Sequence, residues 1–159
     1  MDSKIIITLA ALVAVLVVGC SQQLRPDGFP PLYPATVLVI QDGQPLGGAM
    51  ISLYRADDSP QKWGIFGITN SNGRAVLLTH GTHSGVPEGE YVVTVTKQEE
   101  VEISSRAEST VTESFTRVEE QYVDPKKSPL RIHIQKKGKN YEEIDVGKPV
   151  RISLGRDVA

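Results

Sequence analysis

Cysteine is nearly absent from this chain, with one in 159 residues. That excludes an internal disulfide, a zinc site built from several cysteines and a paired-thiol redox centre. Aromatic residues are sparse at 6%, and tryptophan occurs once, as Trp63. A basic excess is missing too. Lys+Arg is 17 against 19 Asp+Glu, a formal net charge of -2. Nucleic acid is therefore disfavoured as a partner, because its binders carry a strong positive footprint. No G-x-S-x-G elbow and no phosphate-cradling P-loop appears, and nothing in the sequence implies a cofactor. What the chain does have is 40% hydrophobic and 23% charged residues. That is globular composition at about the length of one domain.

One long apolar run stands out. Residues 1–20 read MDSKIIITLAALVAVLVVGC. Lys4 opens it, Thr8 is the one polar residue from Ile5 to Gly19, and the run closes on the lone cysteine, Cys20. It has the length of a signal-peptide core and falls short of the roughly 18 to 20 residues that span a bilayer. Val17-Val18-Gly19-Cys20 resembles the bacterial lipobox. The resemblance implies a lipoprotein signal peptide over 1–19. It also implies diacylglyceryl transfer to the Cys20 thiol, cleavage before Cys20 and further acylation (palmitate-type) of the new amine. Two or three chains hold a protein on a membrane stably, where one holds it marginally. Ser21 stands where some bacteria place a retention Asp, so outer-membrane sorting is the expectation in a two-membrane host. The plainer reading is an uncleaved anchor helix with an incidental cysteine.

Residues 20–34 include Pro26, Pro30, Pro31 and Pro34, a density that prevents helix and central strand. They read as an extended tether, with Phe29, Leu32 and Tyr33 able to dock its end. Residues 35–155 then carry β signals in series. Thr36–Gln41 ends in the turn pair Asp42-Gly43. Ala49–Tyr54 and Gly64–Thr69 follow. Arg74–Thr79 is expected to pair back on Gly64–Thr69 across the tight turn Asn70-Ser-Asn-Gly73. Glu90–Thr96, Pro129–Gln135, Tyr141–Val146 and Pro149–Leu154 complete the set. Residues 97–121 lose the pattern, with seven Glu and two Arg over 99–120. They read as a long acidic, partly disordered loop with a helical turn near 113–120. No amphipathic helix is evident. The expectation is an all-β antiparallel sandwich of about seven strands with Ig-like connections, and no parallel sheet, since crossover helices are lacking.

Val39-Ile-Gln-Asp-Gly-Gln-Pro-Leu-Gly-Gly-Ala-Met-Ile-Ser-Leu-Tyr54 resembles the opening of carboxypeptidase regulatory-like domains, which are transthyretin-like (prealbumin-like) sandwiches. Thr69-Asn-Ser-Asn-Gly73 stands where that family has T-D-x-x-G. Pro87-Glu-Gly-Glu-Tyr-Val-Val-Thr-Val95 stands where it has P-x-G-x-Y and a long strand. The resemblance spans about residues 29–152. It implies a non-catalytic accessory or binding module. Asn70 in place of the usual Asp removes a charge and weakens a metal role for that turn. Transthyretin-like hydroxyisourate hydrolases end in Tyr-Arg-Gly-Ser, whereas this chain ends Leu154-Gly-Arg-Asp-Val-Ala159.

Three features hold chemistry in principle. Trp63, between Lys62 and Gly64, is the candidate ligand-binding residue, a platform on which a sugar ring could stack; a lone Trp also commonly lids a core. His80 and His83, near Glu88 and Glu90, have spacing compatible with one metal ion, but a loop setting with no fixed third ligand makes a solvated loop the plainer reading, so no metal is expected. His133 alternates with Ile132 and Ile134 and therefore belongs to the solvent face. Residues 126–151 hold eight Lys/Arg against three acids. That basic stretch fits either charge balance with the acidic segment or an anionic envelope partner. The leading expectation is a lipid-anchored, extracytoplasmic bacterial lipoprotein, on the cell membrane or outer membrane. Its partners would be membrane lipid through Cys20 and an envelope protein or glycan. A peptidoglycan- or carbohydrate-binding module is the alternative, and a metal-dependent envelope enzyme on His80 and His83 a third.

Overall fold

The computed structural model describes residues 25–57, 59–106 and 109–154. The apolar leader with its expected helix, and Cys20, lie outside the described residues. The molecule is an all-β sandwich. Strands β1 (Ala35–Gln41), β2 (Gln44–Pro45), β5 (Arg74–Val76) and β12 (Asn140–Asp145) form one sheet. Strands β3 (Met50–Arg55), β4 (Ile65–Ile68), β6 (Leu78–Thr79), β7 (His83–Ser84), β8 (Gly89–Thr96) and β11 (Arg131–Ile134) form the second, in the order β11-β8-β3-β4-β6-β7. A third, smaller sheet consists of β9 (Gln98–Arg106), β10 (Ser109–Thr116) and β13 (Ile152–Ser153). One helical turn, α1 (Glu120–Val123), precedes β11.

Period-2 alternation explains the layers. On β1, Ala35, Val37 and Val39 point inward and are buried, with the side chains between them half exposed. Ile51 and Leu53, Tyr91, Val93 and Val95, and Ile132 and Ile134 supply the facing layer from β3, β8 and β11. Ala75, Leu77, Ile144 and Val146 close the core from the first sheet and its ends. The β1–β2 turn uses Asp42 and Gly43, both at positive φ (50° and 73°), which matches strand twist in a two-residue hairpin.

Three expectations need correction. Arg74–Thr79 does not form one strand paired back on β4. Arg74–Val76 pairs with β1 in one sheet, and Leu78–Thr79 pairs with β4 in the other. The chain changes sheets at buried Leu77, a corner device of sandwiches. Gly67 makes room for it, since a Cβ there would sit 2.8 Å from the Val76 carbonyl oxygen. Second, β1 and β12 run parallel, from Ala35↔Asn140 to Ile40↔Asp145. The crossover between them is most of the sandwich itself, so no helix is required. Third, the segment 97–121 is not a long loop. It is a hairpin, β9–β10, with pairing from Thr116↔Gln98 to Ser109↔Arg106 and one bulge at Val111/Thr112. Thr110, Val111 and Thr112 favour strand. The expected helical turn lies at Glu120–Val123 instead, stopped by Asp124 and Pro125.

Candidate functional site

The proline segment is seated on one end of the sandwich. A turn closes at Pro26–Phe29, where the Phe29 amide donates to the Pro26 carbonyl at 3.0 Å. Tyr33 then exchanges two backbone hydrogen bonds with Val86, each 2.9 Å. The approach is close enough that a Cβ on Gly85 would lie 2.9 Å from the Tyr33 carbonyl oxygen, and Gly85 has φ +106°. Only glycine satisfies both conditions without a shift.

Phe29 is the plug of this seat. Its ring centroid lies 5.3 Å from Trp63 and 4.6 Å from His83, tilted to both. Trp63 is half-buried and also meets His80 edge-on at 4.9 Å. Lys62 Nζ stands 4.8 Å from the Trp63 ring centroid, a cation–π contact. The loop that carries Trp63 is pinned by Gln61. Its Nε2 donates to the Leu53 and Trp63 carbonyls (2.9 and 3.0 Å), and its Oε1 accepts from the Arg55 amide. Beside Trp63 a groove of about 240 Å³ is lined by Gly28, Pro30, Arg55, Gln61 and Tyr91 among others. That is below the roughly 300–1,000 Å³ of ordinary small-molecule sites.

Ion pairs flank the groove. Arg55 donates to both carboxylate oxygens of Asp57 at 3.1 and 2.9 Å. Those bonds, with help from Ser59, hold the Asp57 carboxyl well below the usual carboxylate range. Lys136 meets Glu88 at 3.0 Å, and the bond raises its ammonium above the ordinary lysine value. Tyr91 donates its hydroxyl to the Pro87 carbonyl at 2.9 Å, and burial pushes its titration up.

His83 is buried, with its Nδ1 3.0 Å from the Thr82 hydroxyl and its Nε2 without a hydrogen-bond partner. His80 is exposed, at φ 57°, with its ring centroid 6.5 Å from that of His83. Among the described residues no group of three His, Cys, Asp or Glu could hold a metal. Glu88 is engaged by Lys136, and Glu90 lies 3.9 Å from exposed His133. The structure thus brings Trp63, His80 and His83 into one aromatic cluster and leaves His133 apart on the solvent face of β11. Sequence reading missed Gln61, Arg55 and Gly85. Their roles depend on partners distant in the chain or held in the folded loop, which spacing alone does not reveal.

No family model matches this chain, and no curated protein matches it. Among solved structures, a 9R-lipoxygenase from Cyanothece PCC8801 is similar at a TM-score of 0.36 and 15% identity, over 87% of this chain and 20% of that one. The chain thus spans about a fifth of that protein's length, and a likeness this distant carries no argument about activity.

Proposed function

We propose that this chain is a lipid-anchored, extracytoplasmic protein of the bacterial envelope, whose sandwich does structural or binding work rather than catalysis. The observation that carries the reading is the place of Cys20, the lone cysteine, directly after Gly19 at the end of the apolar run. The resemblance to carboxypeptidase regulatory-like domains supports a non-catalytic module. Flotation of bacterial membranes tests it. The full chain should float with membranes, and Cys20→Ala should move it to the soluble extract or leave an unprocessed precursor. A Cys20→Ala protein processed and membrane-bound like the parent would defeat the reading.

A second reading, glycan binding, is favoured by one observation: Trp63 is half exposed beside a groove that also holds Arg55 and Lys62. Lys62 already covers part of the ring, so a sugar would have to displace it. Peptidoglycan pull-down that is lost in Trp63→Ala supports this reading. Equal retention by both proteins removes it.

A further inference from the structure

We propose that the tether end of the sandwich is a membrane-facing surface, seated on the phospholipid headgroups of the bilayer that holds the Cys20 lipid; this rests on the reading of Cys20 as the acylated residue. Reach is the first argument. Phe29 is fixed against Trp63 and His83, and it stands nine residues after Cys20. At about 3.3–3.6 Å per residue, nine residues extend at most about 30 Å. The end that bears Phe29 therefore stays within about 30 Å of the bilayer, close enough to reach the headgroups.

Chemistry is the second argument. The loops at this end lie between β3 and β4, between β6 and β8, and between β11 and β12. They present half-exposed Trp63 and exposed His80, Lys62, Lys137 and Lys139. The lysine loop is fastened to the tether, because Asn140 Nδ2 donates to the Pro34 carbonyl at 3.1 Å. Tryptophan partitions to the headgroup level, and lysines beside it are drawn to anionic lipid. Among the described acids here, Asp57 is held by Arg55 and Glu88 by Lys136, while Glu90, 3.9 Å from His133, and Asp27 on the tether are exposed.

Polarity of the whole body is the third. The far end bears Asp42 at the β1–β2 turn, Asp145 at the end of β12, and Glu100, Glu102 and Glu113 on the β9–β10 hairpin, with Glu99 paired to Arg117 at 3.5 Å and Lys97, Lys148 and Arg151 near the hairpin base. An anionic surface favours the lysine end over this mixed one.

Trp63 is the one tryptophan of the chain, so intrinsic fluorescence reports it alone. The full, lipidated protein would be reconstituted into vesicles of phosphatidylethanolamine and phosphatidylglycerol, with and without a lipid carrying a nitroxide on its headgroup. The expected result is co-flotation with the vesicles, a blue-shifted Trp63 emission, and an about twofold loss of that emission on adding the nitroxide lipid. Lys62→Glu combined with Lys137→Glu and Lys139→Glu should float equally and recover most of the emission. Protein that floats while its emission ignores the nitroxide overturns the seating and leaves the Cys20 reading standing. Protein that fails to float overturns both. Equal quenching in the charge-reversed variant overturns the part assigned to the lysines.

Discussion

Tyr91 joins the core to the tether seat. Its ring is buried in the sandwich, and its hydroxyl reaches the Pro87 carbonyl beside Val86, the residue on which Tyr33 is hydrogen-bonded. Burial raises its titration above a tyrosine's ordinary value. A group whose pKa is higher folded than unfolded adds stability that is full below the unfolded value and is lost as pH rises through the folded one. Tyr91→Phe should therefore cost about 0.5–1.5 kcal/mol at neutral pH in urea denaturation, and that difference should shrink at alkaline pH. A pH-independent difference would contradict the assignment. Gly85→Ala meets two obstacles, a positive φ and a Cβ 2.9 Å from the Tyr33 carbonyl oxygen. It should destabilise by about 1–3 kcal/mol and red-shift Trp63 emission as Phe29 lifts away. An unchanged emission would mean that the tether seat does not depend on that close approach. Trp63 was legible as a candidate because it is alone and lies between strands. Its neighbours Phe29 and His80 were legible one by one, but not as a cluster, since sequence does not say which loops share an end.

The β9–β10 hairpin shows how a whole element goes unread. Alternation in a strand records one buried face. None of the described side chains at 98–102 and 112–116 is buried, so there was no face to record. Glutamates then dominate the segment and suggest a loop. By contrast, β1, β3 and β8 bury alternate residues, and their limits could be read nearly to the residue from Thr36–Gln41, Ala49–Tyr54 and Glu90–Thr96. The β1–β12 pairing was illegible for another reason: it joins two ends of the domain, and only the intervening fold brings them together. Elements whose described side chains bury nothing in the core open at low cost. Hydrogen exchange should therefore release the amides of β9 and β10 well before those of β1, β3 and β8. Equal protection across the two sets would show that the hairpin is fixed by packing that its exposed side chains do not suggest.

The molecule as a whole has two unlike ends. One holds the tether, Trp63 and the lysines of the β11–β12 loop; the other holds the acidic turns and the hairpin. The sequence signalled the charge imbalance, with acids over 99–120 and bases over 126–151. It did not signal how these charges are shared out in space. Part of the basic stretch meets part of the acidic one. Lys127 pairs with Glu120 at 2.5 Å, the Arg151 guanidinium lies 4.3 Å from the Phe115 ring centroid, and β13 pairs with β10. The lysines at 137 and 139 remain at the tether end, away from the hairpin. The arrangement orients a chain that hangs from a lipid, with the tether end and its lysines toward the bilayer and the hairpin away from it. Everything in that account depends on the covalent state of one sulfur atom. Intact and peptide mass spectrometry of the protein extracted from bacterial membranes measures it directly. The account predicts a chain that begins at Cys20 and carries the mass of a diacylglyceryl group. A chain that retains Met1 and its leader, or that begins with a bare Cys20 thiol, would contradict it.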